Sequence, residues 1–244
     1  CSMNILAIDI GNTRIKWGYA QADGWLRQGW VATAEPTALG AAFTGLPAPE
    51  RIIISNVAGP AVREQVARQL PPQCSVHWLA AAAEQCGVRS SYADPSALGP
   101  DRWAALIGAR HLTGAACVVV NVGTTMTVDA MNGEGLFLGG CIIPGAALMR
   151  EALARDTANL AQRAGQFSYF PDNTGDAIAS GAINALAGAI ERMANYLRES
   201  AGVEPRIVLS GGDAALVEER LNAQVAVVDN LVLEGLLHIA RQAK

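Results

Sequence analysis

The chain lacks the features that mark several broad classes of protein. Its 244 residues contain 18 Lys and Arg against 22 Asp and Glu, and the basic residues are scattered without forming a run. Proteins that bind nucleic acid or anionic membranes usually present a basic patch, so neither partner is expected. No apolar run is long enough to span a bilayer, and the N-terminal segment has no leader pattern. We therefore expect a cytoplasmic protein.

Cysteine and histidine are few and are not spaced for metal binding. The five cysteines include no C-x-x-C pair, and the three histidines are isolated from one another. This disfavours a zinc site, and the odd number of cysteines predicts reduced thiols. The sequence also contains neither G-x-x-x-x-G-K-[ST] nor G-x-G-x-x-G. These absences exclude a P-loop fold and a dinucleotide-binding fold.

Two similar segments stand out against these absences: "LAIDIGNTRIKWG" at residues 6–18 and "CVVVNVGTTMTVDA" at residues 117–130. Each predicts an apolar strand, a turn with Gly and polar residues, and a second strand. At a constant offset, the matching residues are Asp9, Gly11 and Thr13 in the first copy and Asn121, Gly123 and Thr125 in the second. The repetition predicts an α/β protein of two similar halves, residues 3–113 and 114–244.

The residue types in these turns suit phosphate binding. Glycine lets the backbone come close to an anion, and turn N–H groups and a Thr hydroxyl donate hydrogen bonds. A carboxylate can hold a hydrated divalent ion, and Lys16 supplies a positive charge. The alternative is that each turn is only a hairpin whose Gly and Asn accommodate a positive φ.

Together with the late turn "LSGGD", the two segments resemble the acetate and sugar kinase, Hsp70 and actin superfamily. The order of "DIGNT", "GPDR", "VGTT" and "NTGDAIASG" resembles that of the type III pantothenate kinases over almost the whole chain. The resemblance implies two ribonuclease-H-like (actin-like ATPase) halves with a nucleotide cleft between them. It also implies ATP-dependent phosphorylation of pantothenate to 4'-phosphopantothenate, the first step of coenzyme A biosynthesis. Two alternatives stay open: a kinase of this fold acting on another small hydroxyl compound, and a nucleotide-binding regulatory protein without catalysis.

The same resemblance assigns the catalytic and substrate-binding residues. It makes Asp101 the general base that takes the hydroxyl proton, although an Asp at this point could equally be an N-cap. Thr174 would come from the neighbouring subunit, which implies a homodimer with shared active sites. The residues implied to contact pantothenate are Tyr92, Gly99, Pro100, Asp101, Arg102 and Thr174.

The nucleotide-binding residues follow in the same way. The resemblance places ATP phosphates at Thr124 and adenosine at Gly211 and Gly212, and the first turn contributes Asp9, Ile10, Gly11, Asn12, Thr13, Arg14, Ile15 and Lys16. Mg²⁺ would be held mainly by the phosphates, with help from Asp9 or Asp129. Family members that need K⁺ or NH₄⁺ usually have a carboxylate where this chain has Asn121, so dependence on a monovalent cation is left open.

Overall fold

A computed structural model describes residues 3–157, 160 and 164–243 of the chain. The strands are β1 (Ile5–Ile10), β2 (Arg14–Gln21), β3 (Gly24–Ala32), β4 (Arg51–Asn56), β5 (Val76–Trp78), β6 (Glu84–Gln85), β7 (Val88–Ser90), β8 (Cys117–Val122), β9 (Thr125–Met131), β10 (Leu136–Pro144), β11 (Arg206–Ser210) and β12 (Val225–Val227). The helices are α1 (Ala38–Ala42), α2 (Pro60–Ala67), α3 (Pro100–Thr113), α4 (Ala146–Asp156), α5 (Thr174–Ala201), α6 (Ala215–Glu218) and α7 (Leu231–Gln242).

The chain folds into two compact units. The first runs to Gly114 and also includes the residues from Asn230 onwards, and the second is Ala115–Asp229. The predicted halves 3–113 and 114–244 therefore differ from these units in the position of α7, which joins the first unit. None of the helices in the described part of the chain has the length and apolar character needed to cross a bilayer.

The first unit is built on the sheet β3-β2-β1-β4-β5. Strands β1, β2 and β3 are antiparallel neighbours, whereas β4 and β5 run parallel to β1. Alternate residues of β1 and β4 pack with α1 and α2 in one apolar cluster, which includes Ile8 and Ile54. The residues between them face α3 and α7, which pack on the same strands.

The second unit repeats this arrangement with strand order β10-β9-β8-β11-β12. Strands β8, β9 and β10 are antiparallel neighbours, and β11 and β12 run parallel to β8. The core of this unit joins β8, β9 and β11 to α5 and α6. Strand order and strand direction are thus the same in both units, which confirms the predicted fold of two similar α/β halves.

Helix α7 joins the first unit because its contacts lie there. The indole of Trp25 on β3 donates to Glu234 Oε1 at 2.7 Å, and α7 packs closely along α3. A Cβ on Gly235 would overlap the carbonyl oxygen of Ala104, and one on Gly108 would lie 2.8 Å from the carbonyl oxygen of Leu231. The two glycines therefore allow a backbone approach that no larger residue permits.

Candidate active site

The first predicted phosphate turn connects β1 to β2. The amide of Gly11 donates to the carbonyl oxygen of Arg14 at 3.0 Å, and the Thr33 hydroxyl donates to the Gly11 carbonyl at 2.7 Å. Neither Gly11 nor Asn12 has a positive φ, so that expectation was wrong. Glycine is favoured instead because a Cβ at position 11 would lie 3.2 Å from the Arg14 carbonyl oxygen. The two hydrogen bonds of Gly11 hold the turn in place, whereas Asn12 and Thr13 are exposed to solvent.

Three polar side chains form a row across the sheet next to this turn. In the strand register, Asp9 of β1 is paired with Lys16 of β2 on one side and with Ser55 of β4 on the other. Paired residues project from the same face of a sheet, so the three side chains are neighbours on the face that α3 and α7 cover. Sequence reasoning missed Ser55, because only the strand register brings it beside Asp9.

The environment of Asp9 opposes its charge. Burial, followed by the nearby carboxylate of Asp101, raises the pKa of Asp9 from 3.8 to about 7, against smaller lowering contributions from Lys16 and the Ser55 hydroxyl. Its Oδ1 atom is buried and has no hydrogen-bond partner among the described residues. A buried carboxylate oxygen without a partner is well suited to a cation or to a water bound to one.

Asp101 lies in the first turn of α3. The N-cap of this helix is Gly99 and Pro100 is its first residue, so Asp101 is not the N-cap that the alternative reading of the sequence supposed. The amide of Arg102 donates to Asp101 Oδ1 at 2.8 Å. Burial raises the pKa of Asp101, and the Arg102 amide and charge oppose that rise. A side chain on Gly99 would meet Asp101 Oδ1 at 2.6 Å, so glycine leaves room for the carboxylate.

Arg102 and Tyr92 meet beside Asp101. Arg102 is 7% exposed as a residue, and its Nη1 atom donates to the Tyr92 hydroxyl at 3.4 Å. The next residue, Trp103, is fully buried and donates from its indole to Gln85 Oε1 at 2.8 Å. Most of the predicted pantothenate residues, Tyr92 and Gly99 to Arg102, are thereby brought together in the first unit.

The second predicted phosphate turn connects β8 to β9. The amide of Gly123 donates to the Thr125 carbonyl at 3.1 Å, and the amide of Gly145 donates to the Thr124 carbonyl at 2.9 Å. A Cβ on Gly145 would overlap the Gly123 carbonyl oxygen, so a glycine is needed there to support the turn. This residue was missed because its role depends on a contact between segments distant in sequence.

The two turns differ in length by one residue. Ile10 is paired with Ile15 across the first turn, whereas Val122 is paired with Met126 across the second. The constant offset therefore fails beyond the turn, and the counterpart of Lys16 is Thr127, the residue paired with Asn121. The second turn has neither the carboxylate nor the cation of the first.

The Gly-Gly turn follows β11 in the second unit. Gly211 has a φ of 105°, and a Cβ there would overlap the carbonyl oxygen of Val122. The amide of Asp213 donates to that same carbonyl at 3.1 Å. This turn therefore lies against the end of β8, directly before Gly123, and close to the second phosphate turn. The predicted adenosine turn and the second phosphate turn thus lie in the same unit.

Asp129 lies in the middle of β9 and is 1% exposed. It is therefore neither at the end of its strand nor facing solvent. In the strand register Asp129 is paired with Val119 and Thr127 with Asn121. The side chain of Asp129 is therefore on the same face of the sheet as that of Thr127, but two residues further from the second phosphate turn. No group of three or more His, Cys, Asp or Glu within the described ranges could hold a metal ion. A divalent ion would need ligands from the phosphates as well.

Thr174 is the first residue of α5, and Asn173 is its N-cap. The Asn173 side chain accepts from the amide of Asp176 at 3.0 Å and thereby caps the helix. Thr174 lies at this helix end and is exposed. Thr174 borders a largely apolar groove of about 730 Å³ between α4 and α5, lined by Leu148, Met149, Leu153, Ala177, Ile178 and Gly181, among others. A few residues before Thr174 in the chain, Tyr169 and Phe170 are 76% and 93% exposed.

Solved structures share this fold over most of their length. A Campylobacter jejuni protein assigned to the Baf family of transcriptional activators has a TM-score of 0.66 and 19% identity, covering 97% of this chain and 98% of that one. The ethanolamine utilization protein EutJ from Carboxydothermus hydrogenoformans has a TM-score of 0.57 and 13% identity, covering 96% and 88%. At such identities the similarity concerns the fold alone.

Sequence similarity is far higher to one family. The sequence profile of the type III pantothenate kinases matches residues 5–196. The type III pantothenate kinase of Nitrosospira multiformis is 46% identical over 98% of this chain and 91% of its own length. That of Aromatoleum aromaticum is 48% identical over 98% of both. With two units of the same topology and a full-length match at this identity, the chain belongs to the type III pantothenate kinase family.

Proposed function

We propose that this protein transfers the γ-phosphoryl group of ATP to the primary hydroxyl of pantothenate, giving 4'-phosphopantothenate for coenzyme A biosynthesis. The observation that carries the proposal is the match to type III pantothenate kinases, at 46–48% identity over 98% of the chain. No feature of the described residues favours another hydroxyl substrate or a regulatory role without catalysis.

Asp101 is the proposed general base. Phosphoryl transfer to an alcohol needs a carboxylate that accepts a hydrogen bond from the attacking hydroxyl. The raised pKa of Asp101 makes the ionised carboxylate a stronger base than an exposed aspartate. The hydrogen bond from the Arg102 amide holds one carboxylate oxygen and leaves the other for the substrate.

Arg102 and Tyr92 are proposed to bind the other end of pantothenate. Pantothenate is an anion, and a guanidinium binds a carboxylate through two parallel hydrogen bonds. The contact of Arg102 with the Tyr92 hydroxyl restricts the guanidinium before substrate arrives. Gly99 and Pro100 would form the backbone of the same pocket.

The ATP phosphates are proposed to bind at the two turns, with residues 9–16 and Thr124 as ligands and Gly211 and Gly212 against adenosine. The exposed side chains of Asn12 and Thr13 and the charge of Lys16 suit these anions. Among the carboxylates, Asp9 fits Mg²⁺ better than Asp129, because its buried Oδ1 has no hydrogen-bond partner in the part of the chain that the structure describes.

A monovalent cation is proposed to be dispensable. Asn121 provides an amide oxygen without a negative charge at the position where cation-dependent relatives usually have a carboxylate. Equal turnover with and without K⁺ or NH₄⁺ is expected, and strict dependence on either ion would contradict this part of the proposal.

A homodimer with shared active sites is also proposed. Thr174 would reach the pantothenate bound by the partner subunit, and the apolar groove beside it is suited to burial against a second copy. The four described cysteines form no disulfide, and the reaction consumes ATP, so we further propose a cytoplasmic location.

The decisive experiment is a coupled ADP-release assay with pantothenate and a panel of sugars. Among these acceptors we expect turnover with pantothenate and with none of the sugars. Turnover with a sugar but not with pantothenate would contradict the proposal. Asp101→Asn should lower kcat by about two to four orders of magnitude, because the amide cannot accept the proton. Asp23→Asn, an exposed position in the turn between β2 and β3, is the matched control and should keep full turnover.

A further inference from the structure

Ser55 has an unusual environment for a residue with no assigned role. It lies near the end of β4, next to the central strand β1 of the first sheet, and is 0% exposed. Its hydroxyl lowers the pKa of Asp9 but makes no hydrogen bond of normal geometry within the described structure. The residue paired with it, Asp9, has a buried carboxylate oxygen without a partner as well. Burying two such atoms next to each other costs free energy, so some state of the protein should use them.

The second unit has a serine at the equivalent position. Ser210 of β11 is paired with Asn121, as Ser55 of β4 is paired with Asp9. Ser210 is also buried, at 4% exposure. The two units thus share a polar pair at the strand ends beside their phosphate turns. The serine belongs to that pair in both, although the neighbouring sequences differ.

We propose that Ser55 is a positioning residue, whose hydroxyl donates to the Asp9 carboxylate when the phosphates of Mg²⁺-ATP occupy the first turn. The inference rests on the proposed nucleotide site. An ionised carboxylate removed from water needs donors around it, and Lys16 provides one on the β2 side. Ser55 provides the other on the β4 side, because a hydroxyl can rotate its hydrogen toward the acceptor. The remaining carboxylate oxygen is then directed at the ligand.

A positioning role and a structural role make opposite predictions for Ser55→Ala. In the free protein the hydroxyl lowers the pKa of Asp9 but makes no hydrogen bond of normal geometry with any described residue, so its removal should leave the melting temperature unchanged or raise it. Binding of ATP with Mg²⁺, measured by calorimetry, should weaken about tenfold through the lost charge-assisted hydrogen bond. Binding of ATP in EDTA should not change, since Asp9 then faces no metal ion.

A double-mutant cycle tests whether Ser55 acts through Asp9. In an Asp9→Asn background, Ser55→Ala should have no further effect on Mg²⁺-ATP binding. Ser55→Cys keeps the size of the side chain, replaces the hydroxyl with a weak donor, and should weaken binding as Ser55→Ala does. The control is Ser180→Ala, a buried serine of α5 that accepts from the amide of Ser168 at 2.9 Å. That variant should lose stability and keep its affinity for Mg²⁺-ATP.

Three outcomes would overturn the inference: unchanged Mg²⁺-ATP affinity in Ser55→Ala and Ser55→Cys, an equal loss of affinity in EDTA, or the same loss in the Asp9→Asn background. These binding measurements need no phosphate acceptor. A wild-type protein that binds Mg²⁺-ATP but does not turn over pantothenate would therefore overturn the proposed function and leave the role of Ser55 to be judged separately.

Discussion

Single side chains of the candidate site are held in states that favour ligand binding over stability. Asp9 is the clearest case, since burial and the nearby carboxylate of Asp101 raise its pKa, and its buried Oδ1 atom has no hydrogen-bond partner among the described residues. Functional sites often keep an unfavourable charge environment of this kind, because the bound ligand relieves it. Its cost in stability should therefore be measurable in the protein without nucleotide.

Replacing Asp9 should stabilise the free protein in a pH-dependent way. With a pKa of about 7 when folded against 3.8 when unfolded, Asp9 holds its proton more tightly in the folded state. The free energy of unfolding therefore falls as the pH rises from about 4 to 7, and the full cost of the charge is present above 7. Asp9→Asn should raise the free energy of unfolding by about 1–3 kcal/mol at pH 8 and by less at pH 5, in urea denaturation without divalent ions. A gain that is the same at both pH values would refute the assignment.

Among the secondary-structure elements, α3 and α7 determine where Asp101 stands. Helix α3 carries Asp101 at its N-terminal end and packs along α7 over much of its length. Their close contact depends on Gly235, which lies against the carbonyl oxygen of Ala104. Any side chain at that position must push α7 away from α3.

Gly235→Ala should therefore be destabilising although alanine favours helices. We expect the free energy of unfolding to fall by at least about 2 kcal/mol, because the overlap is with backbone atoms that cannot rotate away. Gly188→Ala in α5 is the matched control, since nothing lies within 4 Å of the added Cβ and the residue is exposed. It should raise the free energy of unfolding by about 0.5–1 kcal/mol. Urea denaturation of both variants tests the pair, and a stabilised Gly235→Ala protein would show that the helices do not depend on this contact.

Local sequence signals predicted these elements with uneven success. The paired strands around Gly11 and Gly123 were predictable because polar turns interrupt strong apolar runs. The α3 helix begins at Pro100, in agreement with the preference for proline in a first helical turn. The short β6–β7 hairpin has no apolar alternation and was not predicted. Cys86, in the turn of this hairpin, adopts a positive φ of 50°, which is uncommon for residues other than glycine and has no local sequence signal.

For the molecule as a whole, the internal duplication was the most informative part of the sequence. It predicted two units of the same topology, because the repeated segment is the central hairpin of each sheet. It could not predict that α7 returns to the first unit, since that depends on contacts such as Trp25 with Glu234, which are 209 residues apart. It also could not reveal Ser55 or Gly145. The importance of both follows from strand register and backbone approach, which are properties of the folded chain.

Complementation between inactive chains tests the proposed shared site. If Thr174 serves the active site of the partner subunit, an Asp101→Asn chain and a Thr174→Val chain can together form a heterodimer. One of its two sites carries both substitutions and the other carries neither. When the two inactive proteins are mixed, unfolded and refolded together, random pairing should restore about a quarter of the wild-type turnover. Each variant refolded alone is the control and should remain at its own low rate. If Thr174 instead acts within its own subunit, every site in the mixture keeps one substitution, and ADP release should not exceed the mean of the two controls.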